Sequence, residues 1–309
     1  MAAHTESTKE LPSATRRGPW TRDGFTYDVI NGAILLLLAV VCIVPVLNVL
    51  MISLSSKIAV AQGRVSVWPV DFTLVNYQYL LENVRFWNAM LNSVIRIALG
   101  ASINMFLILI TAYPLAKTDK LFPSRLKYVV FFLITMLFHA GLIPTFFAVK
   151  YTGLMNTIWA LIIPTAVNVF NVILMMNFFR NLPTEMEEAA YIDGASHWQT
   201  LFRIYIPTSL PAIATIGLFT VVHHWNEWFW AIIYMNDPDQ YPMQTYLRSV
   251  MINTGLTVED SGDLDILKRL SRRTVTSAQV FVAMIPILLV YPFLQRYFTK
   301  GLVLGAVKG

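Results

Sequence analysis

The sequence predicts an all-α membrane protein with six transmembrane helices, and three observations carry that prediction. Of 309 residues, 56% are hydrophobic and only 13% are charged, about half the charge of an ordinary soluble domain. The apolar residues come in uninterrupted blocks near the length that crosses the ~30 Å hydrocarbon core, not at the spacing of an amphipathic surface helix. The lysines and arginines stand at the ends of those blocks, where they set topology, and form no patch or stripe of the kind that binds nucleic acid. The net charge of +5 is therefore read as an orientation signal, and no nucleic-acid partner is expected.

Residues 1–28 read as a polar cytoplasmic tail, 29–300 as the membrane domain and 301–309 as a second cytoplasmic tail. Arg16 and Arg17 would fit a twin-arginine export signal, but positive charge that retains the amino terminus inside is the plainer explanation. The first apolar run, 29–53, is long enough to span with some tilt. A cleaved signal peptide fits it poorly, since such a segment is shorter, lies nearer Met1 and ends in a small-residue cleavage site. The single cysteine, Cys42, lies in this run, so neither an intrachain disulfide nor a cysteine metal site can be built. Further runs cover 94–116, 128–149, 157–179, 210–235 and 277–297. Pro286 and Pro292 are expected to kink the last of these helices. Alternate loops collect Arg22, Lys117, Lys120, Arg125, Lys127, Arg180, Arg203, Arg296, Lys300 and Lys308 on one side. The positive-inside rule makes that side cytoplasmic, with both termini there. The opposite side holds 56–90, a turn around Lys150, and a long loop over 236–275 of mixed charge, which weighs less in the count.

Between the fourth and fifth runs the segment 182–207 has its own local logic. Pro183 ends the preceding helix, and Thr184 with Glu187 three residues later reads as a capping box that opens a new one. Gly194 suits a left-handed C-terminal cap, and Ser196 with Gln199 makes a second box before another short helix. The expected product is a helix-turn-helix at the cytoplasmic face, with Met186, Ala190, Trp198, Leu201 and Phe202 as its apolar surface. Ala189, Gly194 and Ala195 are small enough for another backbone to approach, which is how a docking element is built.

This segment resembles the EAA motif of binding-protein-dependent ABC importer permeases: Glu-Ala-Ala, three residues, Gly, nine residues, Ile-x-Leu-Pro. Glu188, Ala189, Ala190, Gly194, Ile204 and Pro207 fall at those spacings, and Ile206 stands where leucine is usual, a similar apolar volume. The extension through Asp193 and Ala195, the stretch 290–295 and the tail 300–309 resemble the carbohydrate branch, more narrowly permeases of the LplC/YtcP type. The resemblance runs from about Ile30 to Gly309 and implies the type I ABC importer permease fold in a bacterial cytoplasmic membrane. It further implies that 184–204 fits a cleft on an ATPase subunit, with Glu188 as the polar anchor. By the same resemblance, a second, related permease is expected to complete the pathway, two ATP-binding cassette ATPase subunits to drive it, and an extracytoplasmic binding protein to deliver a sugar or oligosaccharide. The resemblance implies that ATP binding would close the ATPase pair and tip the bundles from inward-facing to outward-facing. The chain carries no Gly-x-x-x-x-Gly-Lys-Ser/Thr, so ATP and Mg are expected on the partner ATPase, and no cofactor and no catalysis in this subunit.

The pathway residues expected from the sequence are Trp225, Asn226, Glu227 and Arg96. Glu227 is an ionisable group in an apolar helix, roughly 25 Å from Leu210 at the inner end, and such groups are functional candidates. Asn226 and Glu227 offer acceptors to a hydroxyl-rich ligand beside aromatic rings, although Trp228 and Trp230 also suit an ordinary interfacial belt. Arg96, with Asn92 beside it, is read first as a side chain that snorkels to the outer surface. Facing the lumen instead, it would favour acidic sugars such as uronate oligomers. Asn104, Asn168 and Asn171 are read as interhelical glue before substrate ligands. His223 and His224 diverge by about 100° on a helix, which disfavours a shared metal. A secondary transporter would show repeat-related halves, and an intramembrane enzyme His-Glu-x-x-His or Gly-x-Ser-x-Gly; none of these is found.

Overall fold

The structure is a computed structural model that describes residues 22–252 and 270–306. The polar amino-terminal tail before residue 22, the basic residues Lys268, Arg269 and Lys308, and the end of the carboxyl-terminal tail lie outside the described residues. Among the described residues every regular element is helical, which places the chain in the expected all-α class. Residues 22–48 form one compact unit, and the rest of the chain from Val49 forms another. The first unit is a single element, α1 (Arg22–Ser53), whose last turns belong to the second unit. Its leucines, isoleucines and valines from Val29 to Val46 are exposed, as the side chains of a span that faces hydrocarbon must be.

In the second unit, short helices α2 (Lys57–Ala61) and α3 (Val75–Glu82) precede α4 (Val84–Ala116). Asn83 starts α4 by accepting a hydrogen bond from the Phe86 amide at 2.9 Å, a standard N-cap. The buried positions of α4 recur every three to four residues, from Phe86 through Ala89, Ser93, Arg96, Gly100, Asn104 and Ile108 to Ala112. One continuous stripe of the helix therefore faces the bundle, and polar side chains on that stripe need partners inside it. At Gly100 a Cβ atom would stand 2.6 Å from His224 Nε2, so only glycine admits the imidazole there.

The third, fourth and fifth crossings, expected as continuous helices, are broken instead. The third consists of α5 (Arg125–Leu137) and α6 (Leu142–Tyr151), bent by 113°. Gly141 at φ +85° turns the chain there, and Pro144 falls in the first turn of α6, where no amide hydrogen is required. In the fourth, α7 (Trp159–Ile162) and the 3-10 turn Ile163–Thr165 meet α8 (Val169–Arg180) at 49°. Asn168 caps α8 by accepting from the Asn171 amide at 3.1 Å. After α9 (Thr184–Ile192), α10 (His197–Thr200) and α11 (Ile206–Thr208), the chain bends by 85° into α12 (Leu210–Asn226), the main part of the fifth crossing. A break at Glu227 and Trp228 separates α12 from α13 (Phe229–Tyr234). Then come α14 (Met243–Ile252) and α15 (Arg272–Ala306), the last crossing, a single helix with Pro286 and Pro292 inside it. Three helices are each long and apolar enough to cross a membrane, and with each bent pair taken as one span the number among the described residues rises to six.

Helix α4 packs against α8 and α12, and α12 against α15. Near the carboxyl end of α4 the core is built from Ile108, Ala112, Tyr113, Val172, Met175, Phe179, Leu201 and Tyr205. A second cluster joins Phe86 and Ala89 to Met243, Leu247 and Ala278. Residues Leu201–Tyr205, between α10 and α11, form a π-helical turn, a wide turn that carries one more residue than an α-turn.

Candidate functional site

The segment 184–207 forms the expected pair of short helices with a sharp turn between them. Gly194 adopts φ +78°, its amide bonds to the Tyr191 carbonyl at 3.0 Å, and the Ala195 amide bonds to Ala190 at 2.9 Å. Those two bonds make a Schellman motif. Ser196 and Gln199 form the second capping box, with side chains and amides paired reciprocally. The first box is a correction. Pro183 occupies the cap position of α9 without a side-chain bond, and Glu187 turns inward instead of back to the amide of Thr184.

Glu187 is buried, and its carboxylate collects three donors. Lys117, just past the end of α4, bonds to Oε1. Tyr191 donates to the same oxygen at 2.5 Å, and Tyr205 donates to Oε2 at 2.6 Å. Tyr191 thereby spends its only proton, so its oxygen accepts from His197 Nδ1 at 2.8 Å. The Lys117 ammonium also lies 3.7 Å from the centroid of the Tyr113 ring and 4.4 Å from that of Tyr205, within cation–π range. Burial alone would raise the Glu187 pKa, but the bonds from Lys117, Tyr191 and Tyr205 outweigh it and hold the carboxyl below its ordinary value. Burial first, and then the bond to Glu187, push the Tyr191 phenol up. One buried carboxylate thus ties α9 to the end of α4 and to the π turn that leads into α12. Lys117, read from sequence as a topology signal, is a structural partner as well.

The opposite face of the segment is open. Glu188, Ala189, Asp193 and Gly194 are exposed, Ala195 and Ile204 are half-buried, and Pro207 is exposed at the foot of α12. Trp198 and Phe202 stack with planes 18° apart and both face outward, with Met186 beside them. Ala190 and Leu201, expected on that surface, are buried in the bundle instead, because α9 presents Glu187, Ala190 and Tyr191 inward as a three-and-four repeat. Ile192, 85% exposed, takes their place on the open face.

At the far end of the fifth crossing, Arg96 overturns its first reading. It does not snorkel: it is 1% exposed, and its guanidinium lies 2.9 Å from a carboxylate oxygen of Glu227. A second guanidinium nitrogen donates to the Glu227 carbonyl at 3.2 Å. The other carboxylate oxygen accepts from the Trp230 amide at 2.7 Å and so starts α13. The pair holds the break in the fifth crossing against α4, and its charges are directed at each other. Two turns further along α4, Asn104 meets His224 Nε2 at 3.3 Å, and with its amide turned so that both ends are satisfied it donates to the Gly100 and Ala166 carbonyls at 3.0 and 3.2 Å and accepts from that imidazole. Asn104 is therefore interhelical glue. Trp225 is buried and Asn226 exposed, and both line a cavity of about 360 Å³ between α12, α14 and α15.

A larger cavity, about 760 Å³, opens where the three breaks converge. His139 and Gly141 come from the third crossing, Thr165 and Asn168 from the fourth, and His223, Phe229 and Trp230 from the fifth. Broken helices at membrane depth are tolerated where they line a water-filled cavity, because the freed backbone groups need partners. None of these residues is among the four expected on the pathway, Trp225, Asn226, Glu227 and Arg96. The sequence signals that mark them are Gly141 with Pro144, and Pro164 with Asn168, each a helix stop inside an apolar run.

This arrangement has relatives. The chain is 39% identical over 283 residues to the polygalacturonan/rhamnogalacturonan transport system permease protein YtcP of Bacillus subtilis, covering 92% of this chain and 98% of the relative. It is also 39% identical over 289 residues to protein LplC of the same organism, covering 94% and 97%. In the crystal structure of a bacterial ABC transporter involved in the import of the acidic polysaccharide alginate, one chain superposes with a TM-score of 0.83 at 32% identity, over 90% of this chain and 99% of that one. The model of the family described as binding-protein-dependent transport system inner membrane component matches residues 85–303, from the first turn of α4 through most of α15. A bundle with an outward-facing helical knuckle, matched over that length, belongs to the binding-protein-dependent transport system inner membrane components.

Proposed function

We propose that this chain is one of the two permease subunits of an ATP-driven importer whose cargo is a saccharide. A second permease completes the pathway, an extracytoplasmic binding protein delivers the cargo, and ATP with Mg is bound and hydrolysed on two separate ATP-binding cassette subunits. The observation that carries this reading is the segment 184–207: exposed at Glu188, Trp198 and Phe202 where a partner would seat, and bolted to the bundle through Glu187 and Lys117. The basic residues Lys120, Arg125, Arg180 and Arg203 share that end of the crossings, which supports placing it, with both termini, in the bacterial cytoplasm. The saccharide cargo is supported by the relatives, whose names speak of polygalacturonan and rhamnogalacturonan and of alginate.

Closure of the ATPase pair would push on α9. Because Glu187 bonds to Lys117 and Tyr205, the push reaches α4 and α12 together. The breaks in three crossings are the points where the bundle can bend without the loss of a continuous helix. A ligand that binds one conformation better shifts the population toward it, and ATP supplies that difference on the partner subunits. At the breaks, His139, Asn168 and His223 offer hydrogen bonds and Phe229 and Trp230 offer ring faces, the pairing that sugar hydroxyls and CH faces need.

The deciding experiment is reconstitution of this chain in proteoliposomes with the second permease, the ATPase and the binding protein, followed by uptake of labelled oligosaccharides. Uptake that requires ATP and all four components is expected. Uptake by this chain alone without nucleotide would sink the reading.

A further inference from the structure

We propose that Arg248, with Trp228, Asn226 and Gln244, forms a subsite for the carboxylate of an acidic sugar at the outer mouth of the bundle. The proposal rests on the saccharide reading above and adds the charge class of the cargo. The sequence offered Arg96 as the cation for an acidic ligand, but Glu227 neutralises it within the bundle. Arg248 differs in every respect that matters. It is exposed on α14, and no carboxylate pairs with it among the described residues. Its guanidinium carbon lies 5.0 Å from the centroid of the Trp228 ring. A guanidinium held over an indole has a fixed plane, which leaves its N–H edge free to meet a carboxylate with two parallel bonds.

The surroundings fit the rest of a sugar. The cavity beside Arg248 has about 360 Å³ and is lined by Asn226, Gln244, Trp225 and Trp228 as well, within the range of small-molecule sites. Asn226 and Gln244 supply donors and acceptors for ring hydroxyls, and none of the described residues that line the cavity is acidic. The geometry is held from below: Thr245, on α14, donates to the Trp228 carbonyl at 3.0 Å and so fixes the helix that carries Arg248 to the break that carries the indole. The larger cavity at the breaks has no lysine or arginine among the described residues of its wall. Charge would therefore be read once, at the mouth, before the hydroxyl-reading interior.

The test uses the complex of this chain with its second permease and ATPase in lipid nanodiscs. Equilibrium dialysis measures binding of labelled trigalacturonate and of its carboxyl-reduced counterpart, a neutral trisaccharide of the same ring stereochemistry. The wild-type complex should bind the acid about tenfold more tightly, and added salt should erode that preference. Arg248→Gln should remove the preference and leave the two sugars equal, while Arg248→Lys should keep part of it. Equal binding of both sugars by the wild type, an undiminished preference in Arg248→Gln, or loss of both sugars together would each overturn the subsite. ATP-driven uptake of saccharide in proteoliposomes separates the two levels. Uptake with charge-blind binding sinks only the subsite, and absence of uptake for every saccharide tested sinks the importer reading with it.

Discussion

Arg96 and Glu227, 131 residues apart in sequence, meet as a buried ion pair in which one guanidinium contacts both the carboxylate and the carbonyl of the same glutamate. The contact is lodged at a helix break, and it has the consequence that the break has a defined position. Glu227 cannot rejoin α12 as an ordinary helical residue without giving up either Arg96 or its cap on the Trp230 amide. Removing one partner leaves a charge stranded among apolar side chains. Arg96→Met or Glu227→Gln alone should lower stability by roughly 3–5 kcal/mol, measured by thermal or denaturant unfolding of the purified chain in detergent. The double variant should cost clearly less than the sum of the two, because the pair shares one interaction; strict additivity would show that the residues are not coupled.

Gly100 and His224 give a second test of packing. Gly100→Ala should cost about 1–3 kcal/mol through overpacking, since the new Cβ would meet the imidazole at 2.6 Å. Combining it with His224→Ala should relieve the clash, so that the alanine at 100 costs less in that background than in the wild type. An equal cost in both backgrounds would place the strain elsewhere.

Glu187 makes the attachment of α9 sensitive to acid. Its carboxyl is held below the ordinary value by its donors. For a depressed carboxylate the stabilisation is complete above the unfolded-state pKa, about 4.3, and is lost as pH falls through the lower native value. Hydrogen exchange over 184–205 should therefore be flat from pH 8 to 5, after correction for intrinsic rates, and should accelerate in more acidic buffer. Glu187→Gln should show fast exchange at neutral pH with no acid step. An acid step that persists in this variant would move the titration to another group.

Gly194 separates folding from coupling. A Cβ there meets nothing within 4 Å, so Gly194→Ala should cost only the left-handed backbone penalty, roughly 1–2 kcal/mol. Gly194→Trp places bulk on the exposed turn and should lower uptake roughly tenfold relative to ATP hydrolysis in the reconstituted complex, with membrane insertion intact. Wild-type uptake in that variant would remove the docking role from the turn.

The crossings are legible in the sequence because hydrocarbon imposes length and apolarity on each one separately. Gly194 and the Ser196–Gln199 box are legible because turn and cap chemistry is local. The breaks at Gly141 and Asn168 carry local signals too, but a run of apolar residues drowns them when it is scanned only for hydropathy. Glu187 and Arg96 are illegible for a different reason. Whether a charge snorkels, caps its own helix or is buried depends on what faces it, and Lys117 and Glu227 lie 70 and 131 residues away. The inward repeat of Glu187, Ala190 and Tyr191 is the one local hint that Glu187 turns toward the bundle.

The π turn at Leu201–Tyr205 sets a phase. Each residue of an α-helix advances the chain by about 100°, so the extra residue in that turn rotates everything before it by the same amount relative to α12. The open face of Trp198 and Phe202 points where it does because of that one added residue. Deletion of a single apolar position there would leave the composition almost unchanged and could restore a plain helix, yet it would swing the knuckle about a quarter of a revolution from its seat. Between the knuckle and the fifth crossing, residue number matters more than residue type.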